Sequence, residues 1–356
     1  MVQLTSNHPD GSRIVGVTSN LAATGHQFQY VPTLRTKAGE VVALRNLQPL
    51  TKQRTVPIFQ LAPRLSTRFA EDLANPWYLL PIALDGAIET ANTGTAAGFN
   101  SLFSALGNSG SPIIPVVDIG AAQPYLGAVA AVVNKYAPGL ILRAPLHSVQ
   151  NAASWFTTLS WSTTDADLLV DCGHIADIDP QLILQLVTNV FGTVPLVGWR
   201  SITLTASAAP KDASALATGP NMIPRRDWQL WQAVVMQFPG IHYGDYGIAH
   251  RDLTEPPGYA MANATVSVRY TLDADWLIRK GRSTRGVRGQ PMTAQYHSHA
   301  QAIVRHPGFG QVPGCWADAE ISQIASRGGA GAAGGRQTWV QIGVNRHISL
   351  VCHRLP

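Results

Sequence analysis

Charged side chains are scarce in this chain, and several of them stand directly behind short apolar runs: Lys37, Asp85, Asp118, Arg143, Asp171 and Asp245. Three chemistries fit that pattern. Converging carboxylates could hold Mg2+ or Ca2+, hard cations that prefer oxygen ligands. Arg143 with Lys37 could instead grip a phosphate or carboxylate while Asp118, Asp171 or Asp245 acts as base. A purely architectural reading makes Asp118, Arg143 and Asp171 a salt-bridge ladder on adjacent strands, because a lone buried carboxylate is costly. His174 could join as a group that titrates near neutrality, or be an ordinary loop histidine. The segment Tyr243-Gly244-Asp245-Tyr246-Gly247 allows close backbone approach around an acid flanked by two phenols, or simply closes a strand with a tight turn. Cys172 reads as a packed thiol, and Ser207 lies outside any Gly-x-Ser-x-Gly nucleophile elbow.

The elements that must position these groups repeat along residues 28–250. Apolar runs occur at Phe28–Leu34, Val56–Leu61, Leu79–Leu84, Ile113–Ile119, Leu140–Arg143, Leu168–Asp171, Ser201–Thr205 and Ile241–Tyr246, their starts 23 to 40 residues apart. Runs of this kind suit parallel strands buried on both faces. The segments between them suit helices, most clearly Glu40–Leu50, Ser66–Asn75, Gln123–Tyr136, Pro180–Val190 and Arg226–Phe238. Eight β/α units in about 220 residues predict an α/β fold, a (β/α)8 TIM-like barrel, with function at the C-terminal strand ends. An open doubly wound sheet is the alternative, but the Gly-rich phosphate loop it would need is missing from this region.

Composition narrows the classes further. Of 356 residues, 46% are hydrophobic and 13% charged, which excludes a disordered chain. Pro180 to Trp199 carries no charge, yet its Gln, Asn, Gly and Pro residues predict a helix, a loop and the start of a strand rather than a membrane span. Three cysteines without CxxC spacing argue against a disulfide framework or a zinc site, and a reducing cytoplasm is the plain expectation.

Charge also divides the chain. Residues 1–250 hold 14 Lys and Arg against 15 Asp and Glu, whereas residues 251–356 hold 12 against 6. The expected organisation is an extension over 1–26, the barrel over 27–250, and a basic α+β region over 251–356 packing on or near the barrel mouth. In that region strands are expected at Ala264–Tyr270, Trp276–Lys280 and Trp339–Gly343, the last pairing with Ile348–His353, and helices at Thr293–Val304 and Trp316–Arg327. Arg279, Lys280, Arg282, Arg285 and Arg288 offer a nucleic-acid contact or a solvated loop. His297 and His299 would share one face of a strand, and the Asn345-Arg346-His347 turn would either deliver Asn345 and His347 toward the mouth or simply close a hairpin.

Several segments in order resemble the phage and mobile-element "beta protein" family. They are Tyr30-Val-Pro-Thr-Leu-Arg-Thr-Lys37-Ala-Gly39-Glu40 with Ala43-Leu44, Tyr243-Gly-Asp245-Tyr, Arg269-Tyr270 with Trp276 and Gly281-Arg282, and Thr338-Trp339 with Asn345-Arg346-His347. Arg346 departs from the family pattern, which tends to have a second histidine there, and this counts against a paired-histidine role. The resemblance implies a barrel-like body and a setting in phage exclusion, with a toxin or phage component as partner. It implies roles for Lys37, Glu40, Asp245, Arg269, Asn345 and His347, but no reaction. Together these readings make Asp118, Asp171, Asp245 and His347 the candidate catalytic groups. Lys37, Arg143, Arg269, Tyr243 and Asn345 are the candidate anion-binding groups, and a divalent cation stays open as cofactor. The expected activity is hydrolysis of a phosphate ester or nucleotide; the alternatives are a non-catalytic protein-binding module and a nucleic-acid binder.

Overall fold

The computed structural model describes residues 28–62, 68–136, 139–194, 196–252, 265–328 and 332–356; the extension over 1–26 lies outside them. All eight apolar runs form strands: β1 (Tyr30–Arg35), β2 (Ile58–Gln60), β3 (Ile82–Asp85), β4 (Ile113–Asp118), β5 (Leu140–Pro145), β6 (Ala166–His174), β7 (Ser201–Ser207) and, after an interposed β8 (Gly219–Pro224), β9 (His242–Asp245). They close into a parallel barrel in the order β1-β2-β3-β4-β5-β6-β7-β9. Helices α1 (Ala38–Arg45), α2 (Pro49–Gln53), α3 (Phe69–Ala74), α4 (Ala87–Thr93), α5 (Ala97–Asn108), α6 (Gln123–Tyr136), α7 (Ala152–Thr158), α8 (Pro180–Thr193) and α9 (Arg226–Val235) fill the crossovers. The expected helix Glu40–Leu50 is two helices, because Pro49 starts a new first turn, where its missing N–H costs nothing.

The strand pleat sends alternate side chains inward. Val31, Val56, Ile58, Ala83, Ile114, Val116, Ile141 and Leu169 pack as the apolar filling of the barrel. The outward residues join the larger core beneath the helices. Gly244 occupies an inward position at which a Cβ would lie 2.9 Å from Thr203 Cγ2 and 3.1 Å from the Val31 carbonyl oxygen, so a side chain there would break the closure between β7, β9 and β1.

Strand β8 lies within the barrel stretch of the sequence but pairs elsewhere. It joins β10 (Ser267–Thr271) and β11 (Asp275–Lys280) in an antiparallel sheet ordered β10-β11-β8. Trp276 and Ile278 face the barrel core, while Leu277 packs with the second core beneath α10 (Met292–Val304) and α11 (Trp316–Ser326). The strand pair expected at 339–343 and 348–353 is instead one 19-residue helix, α12 (Arg336–Arg354). Gly335 at its N-cap donates its N–H to the Thr338 hydroxyl at 3.2 Å. Residues 342 to 352 of α12 are buried on every side, so the segment carries no polar stripe to betray a helical period. His297 and His299 likewise sit on α10 rather than on a strand. No helix among the described residues is long and apolar enough to cross a membrane.

Candidate functional site

Toward the C-terminal end of the barrel, most inward positions are polar. Period-two alternation from the apolar filling brings Arg35, Gln60, Asp85, Asp118, Arg143, Asp171, Thr205 and Ser207 to the mouth, with Tyr246 just past β9. Arg143 is the centre of this layer. Its Nη2 lies 2.8 Å from Asp85 Oδ2, and its Nε donates to Asp118 Oδ1 at 2.5 Å. Gln60 Nε2 donates to Asp85 Oδ2 at 2.9 Å. Asp171 takes other partners: the Tyr246 hydroxyl at 2.9 Å, the Gly173 N–H at 2.8 Å and Arg251 Nη2 at 3.1 Å. The expected ladder is therefore real for Asp118 and Arg143 but extends to Asp85 rather than Asp171. A guanidinium already occupies the space between Asp85 and Asp118 that a hard cation would need. Among the described residues no cluster of His, Cys, Asp or Glu could hold a metal ion.

The network at the mouth leaves atoms over. Gln60 Oε1, Arg143 Nη1, Arg35 Nε, Thr205 Oγ1 and Ser207 Oγ are all shielded from solvent without a hydrogen-bond partner. Each such atom costs about 1–3 kcal/mol when left dry. Glu40, in the first turn of α1 behind β1, adds an unpartnered Oε2. Burial pushes its carboxyl up to about 7, against the pull of Arg35 and Lys37. Burial also raises Asp118 despite the opposing pull of Arg143, with Asp85 and Asp171 adding repulsion. Its side chain is one-third exposed, so among the charged groups paired in this layer it opens toward solvent. Cys172 is a packed thiol whose pKa burial drives upward.

Asp245, His347, Tyr243 and Asn345 lie elsewhere. Asp245 and Tyr243 alternate with inward Gly244 and point out through the barrel wall, where His347 of α12 meets Asp245 and Asp227, Trp228 and Trp231 of α9 cover Tyr243. His347 Nε2 meets Asp245 Oδ2 at 2.7 Å, and its Nδ1 is 3.1 Å from Thr271 Oγ1. Asp245 Oδ1 accepts the Tyr30 hydroxyl and the Gly247 N–H, both at 2.8 Å. Thr271, His347 and Asp245 thus line up as a hydroxyl–imidazole–carboxylate relay, but all three are at most 1% exposed. Burial raises the Asp245 pKa, yet His347 and the hydrogen bonds outweigh it and hold the carboxyl below its usual range. Tyr243 donates to Asp227 Oδ2 at 2.8 Å. Asn345 accepts the Ala317 N–H at 3.1 Å and donates to the Ala43 carbonyl at 2.9 Å, tying α12 to α11 and α1. The expectation that 345–347 form a turn reaching the mouth fails because those residues are mid-helix, locked against the wall.

The remaining candidates divide between the two regions. Lys37 is half-buried at the N-cap of α1, on the rim. Arg269 donates to the carbonyls of Ile248 and Pro210, strapping β10 to the loops after β9 and β7. The basic run of the tail is split. Arg279 faces the helices, Lys280 donates to the Ser214 and Leu216 carbonyls at 2.8 Å, and Arg282, Arg285 and Arg288 are exposed. Sequence reasoning missed Arg35, Gln60 and Thr205. For Gln60 the signal was available, a polar residue two positions beyond the inward Ile58 on the same strand; Arg35 and Thr205 follow the polar Thr33 and Thr203, so no such contrast marked them.

No curated protein matches this sequence. Among solved structures, the Paramecium bursaria Chlorella virus arginine decarboxylase bound to agmatine aligns over 76% of this chain and 90% of its own, at 11% identity and a TM-score of 0.34. The family model described as Beta protein matches residues 30–353, spanning the barrel wall, the mouth and nearly all of the helix against the wall, and the chain belongs to the Beta protein family.

Proposed function

We propose that the barrel mouth binds a small anion-bearing molecule and hydrolyses it as a phosphate ester. The observation that carries this reading is the set of buried, unpartnered donors and acceptors at the inward positions of that end: Arg143 Nη1, Arg35 Nε, Gln60 Oε1, Thr205 Oγ1 and Ser207 Oγ. Two guanidinium groups supply charge for phosphate oxygens, and the amide and hydroxyls orient the rest. Asp118 is the proton carrier. In hydrolysis, water oxygen forms the new bond to phosphorus, the ester P–O bond breaks, and Asp118 exchanges the proton between water and leaving oxygen. Asp171 holds Tyr246 and Arg251 in place, so its part is positioning.

The test is phosphate release from a panel of phosphate mono- and diesters by the purified full chain. Asp118→Asn is expected to lower kcat at least 100-fold with little change in KM, and Arg35→Met to raise KM. Turnover unaffected by either substitution overturns the reading. A non-catalytic alternative, in which the barrel presents a rigid surface to a toxin or phage component, makes the opposite forecast: mouth variants keep full phage-exclusion activity.

A further inference from the structure

The C-terminal unit holds a second group of unsatisfied polar side chains, far along the chain from the mouth residues. His299 on α10 is 5% exposed, and both its ring nitrogens lack a partner. Arg279 on β11 has a shielded Nε that also lacks one. Their placement follows from one fixed contact. Gly281 abuts Gln295, whose Oε1 accepts the Arg282 N–H at 2.7 Å and would lie 2.1 Å from any Cβ at 281. Arg279 shares a strand face with residue 281, and His299 lies one helical turn beyond Gln295. The two therefore oppose each other across the seam between β11 and α10. Burial, then the charge of Arg279, lowers the imidazole to about 4, so at neutral pH it is uncharged.

A neutral imidazole has one N–H to donate and one bare nitrogen that needs a donor. A ligand complementary to the whole group carries negative charge for Arg279 and also a hydroxyl for the bare nitrogen. Carboxylate and sulfate lack that hydroxyl at neutral pH; hydrogen phosphate and the monoanion of a phosphate monoester have it. We propose that the seam between β11 and α10 is a phosphate-binding site, formed by Arg279 and His299, that selects a protonated phosphate oxyanion over sulfate. Arg279 is half-buried and Arg282 is exposed, so this edge of the seam meets solvent.

The experiment follows the 15N-labelled His299 imidazole of the full chain by NMR, assigned by its loss in His299→Asn. Inorganic phosphate is titrated at neutral pH, beside sulfate and a nucleoside 5′-monophosphate. Phosphate is expected to shift the His299 signals saturably, with sulfate at least tenfold weaker. Arg279→Met abolishes the shift, Arg279→Lys weakens it about tenfold, and the mouth variant Gln60→Met leaves it unchanged. A response to the monoester identifies an esterified ligand, and a response to phosphate alone identifies the free ion; either supports the site. Equal responses to phosphate and sulfate, a shift that survives Arg279→Met in a folded variant, or no saturable shift at all overturns it. Because the mouth is probed by turnover and this seam by the His299 signal, failure of one leaves the other standing.

Discussion

The barrel contains two buried polar networks that share their ingredients and differ in completeness. At the mouth, Gln60, Asp85, Asp118 and Arg143 satisfy one another only in part, and donors and acceptors on the same inward layer are left without partners. On the outer wall, both carboxylate oxygens of Asp245 and both ring nitrogens of His347 are engaged. Around Asp245 and His347 the wall network is closed, and its geometry is that of an adhesive joining the barrel to α12 and β10; farther along the wall Asp227 Oδ1 and Arg346 Nη2 lack partners but are buried. The mouth is open, and an incomplete network is what a ligand completes. A relay-like order of residues is thus no guide to catalysis by itself; access and leftover valence are.

The contrast is broken most severely at the wall. His347→Leu leaves Asp245 as a buried charge without its main partner, and a loss of about 3–5 kcal/mol in urea unfolding is expected. A loss under 1 kcal/mol would mean that the wall is not the joint described. The substitution Glu40→Gln works in the other direction. The Glu40 carboxyl, raised to about 7 in the folded chain, makes a contribution to stability that is fully present below the unfolded value and is lost as pH rises through about 7. Glu40→Gln is therefore expected to stabilise the protein at pH 8 by up to about 3 kcal/mol and hardly at all at pH 4, read from paired denaturation curves.

Smaller effects sharpen the mouth. Gln60→Met and Thr205→Val remove atoms of which Gln60 Oε1 and Thr205 Oγ1 were never satisfied, so each is expected to change stability by about 1 kcal/mol or less while impairing ligand turnover. A large stability loss with intact turnover would reverse the assignment of roles. Asp245, held below the usual carboxylate range, contributes stability that is present above the unfolded value near 4 and lost as pH falls through the folded one. Acid unfolding should accordingly be blunted in Asp245→Asn, which has lost this contribution already. The smallest effect is at the surface, where Arg282→Ala with Arg288→Ala should stay within about 0.5 kcal/mol.

Much of the fold was legible because its signals are local. Eight buried parallel strands read as apolar runs, since both faces are covered and only the ends meet solvent or charge. Helices with a polar stripe, such as α6 and α8, announce themselves by period; α12 does not, because its surroundings bury it on all sides. The charged strand ends Asp85, Asp118, Arg143 and Asp171 were legible by the same route. Glu40 stood out only through the family motif, and its proximity to Arg35 depends on how α1 folds back from β1.

What the sequence alone determined is the barrel: its strand count, its repeat and the end at which charge collects, all consequences of short-range hydrophobic pattern. Only tertiary structure decided the fate of each charge. Asp245 and Tyr246 are neighbours in the chain, yet one points through the wall to His347 and the other into the mouth toward Asp171. The pleat turns adjacent side chains to opposite faces, and barrel closure then makes one face a joint and the other a site.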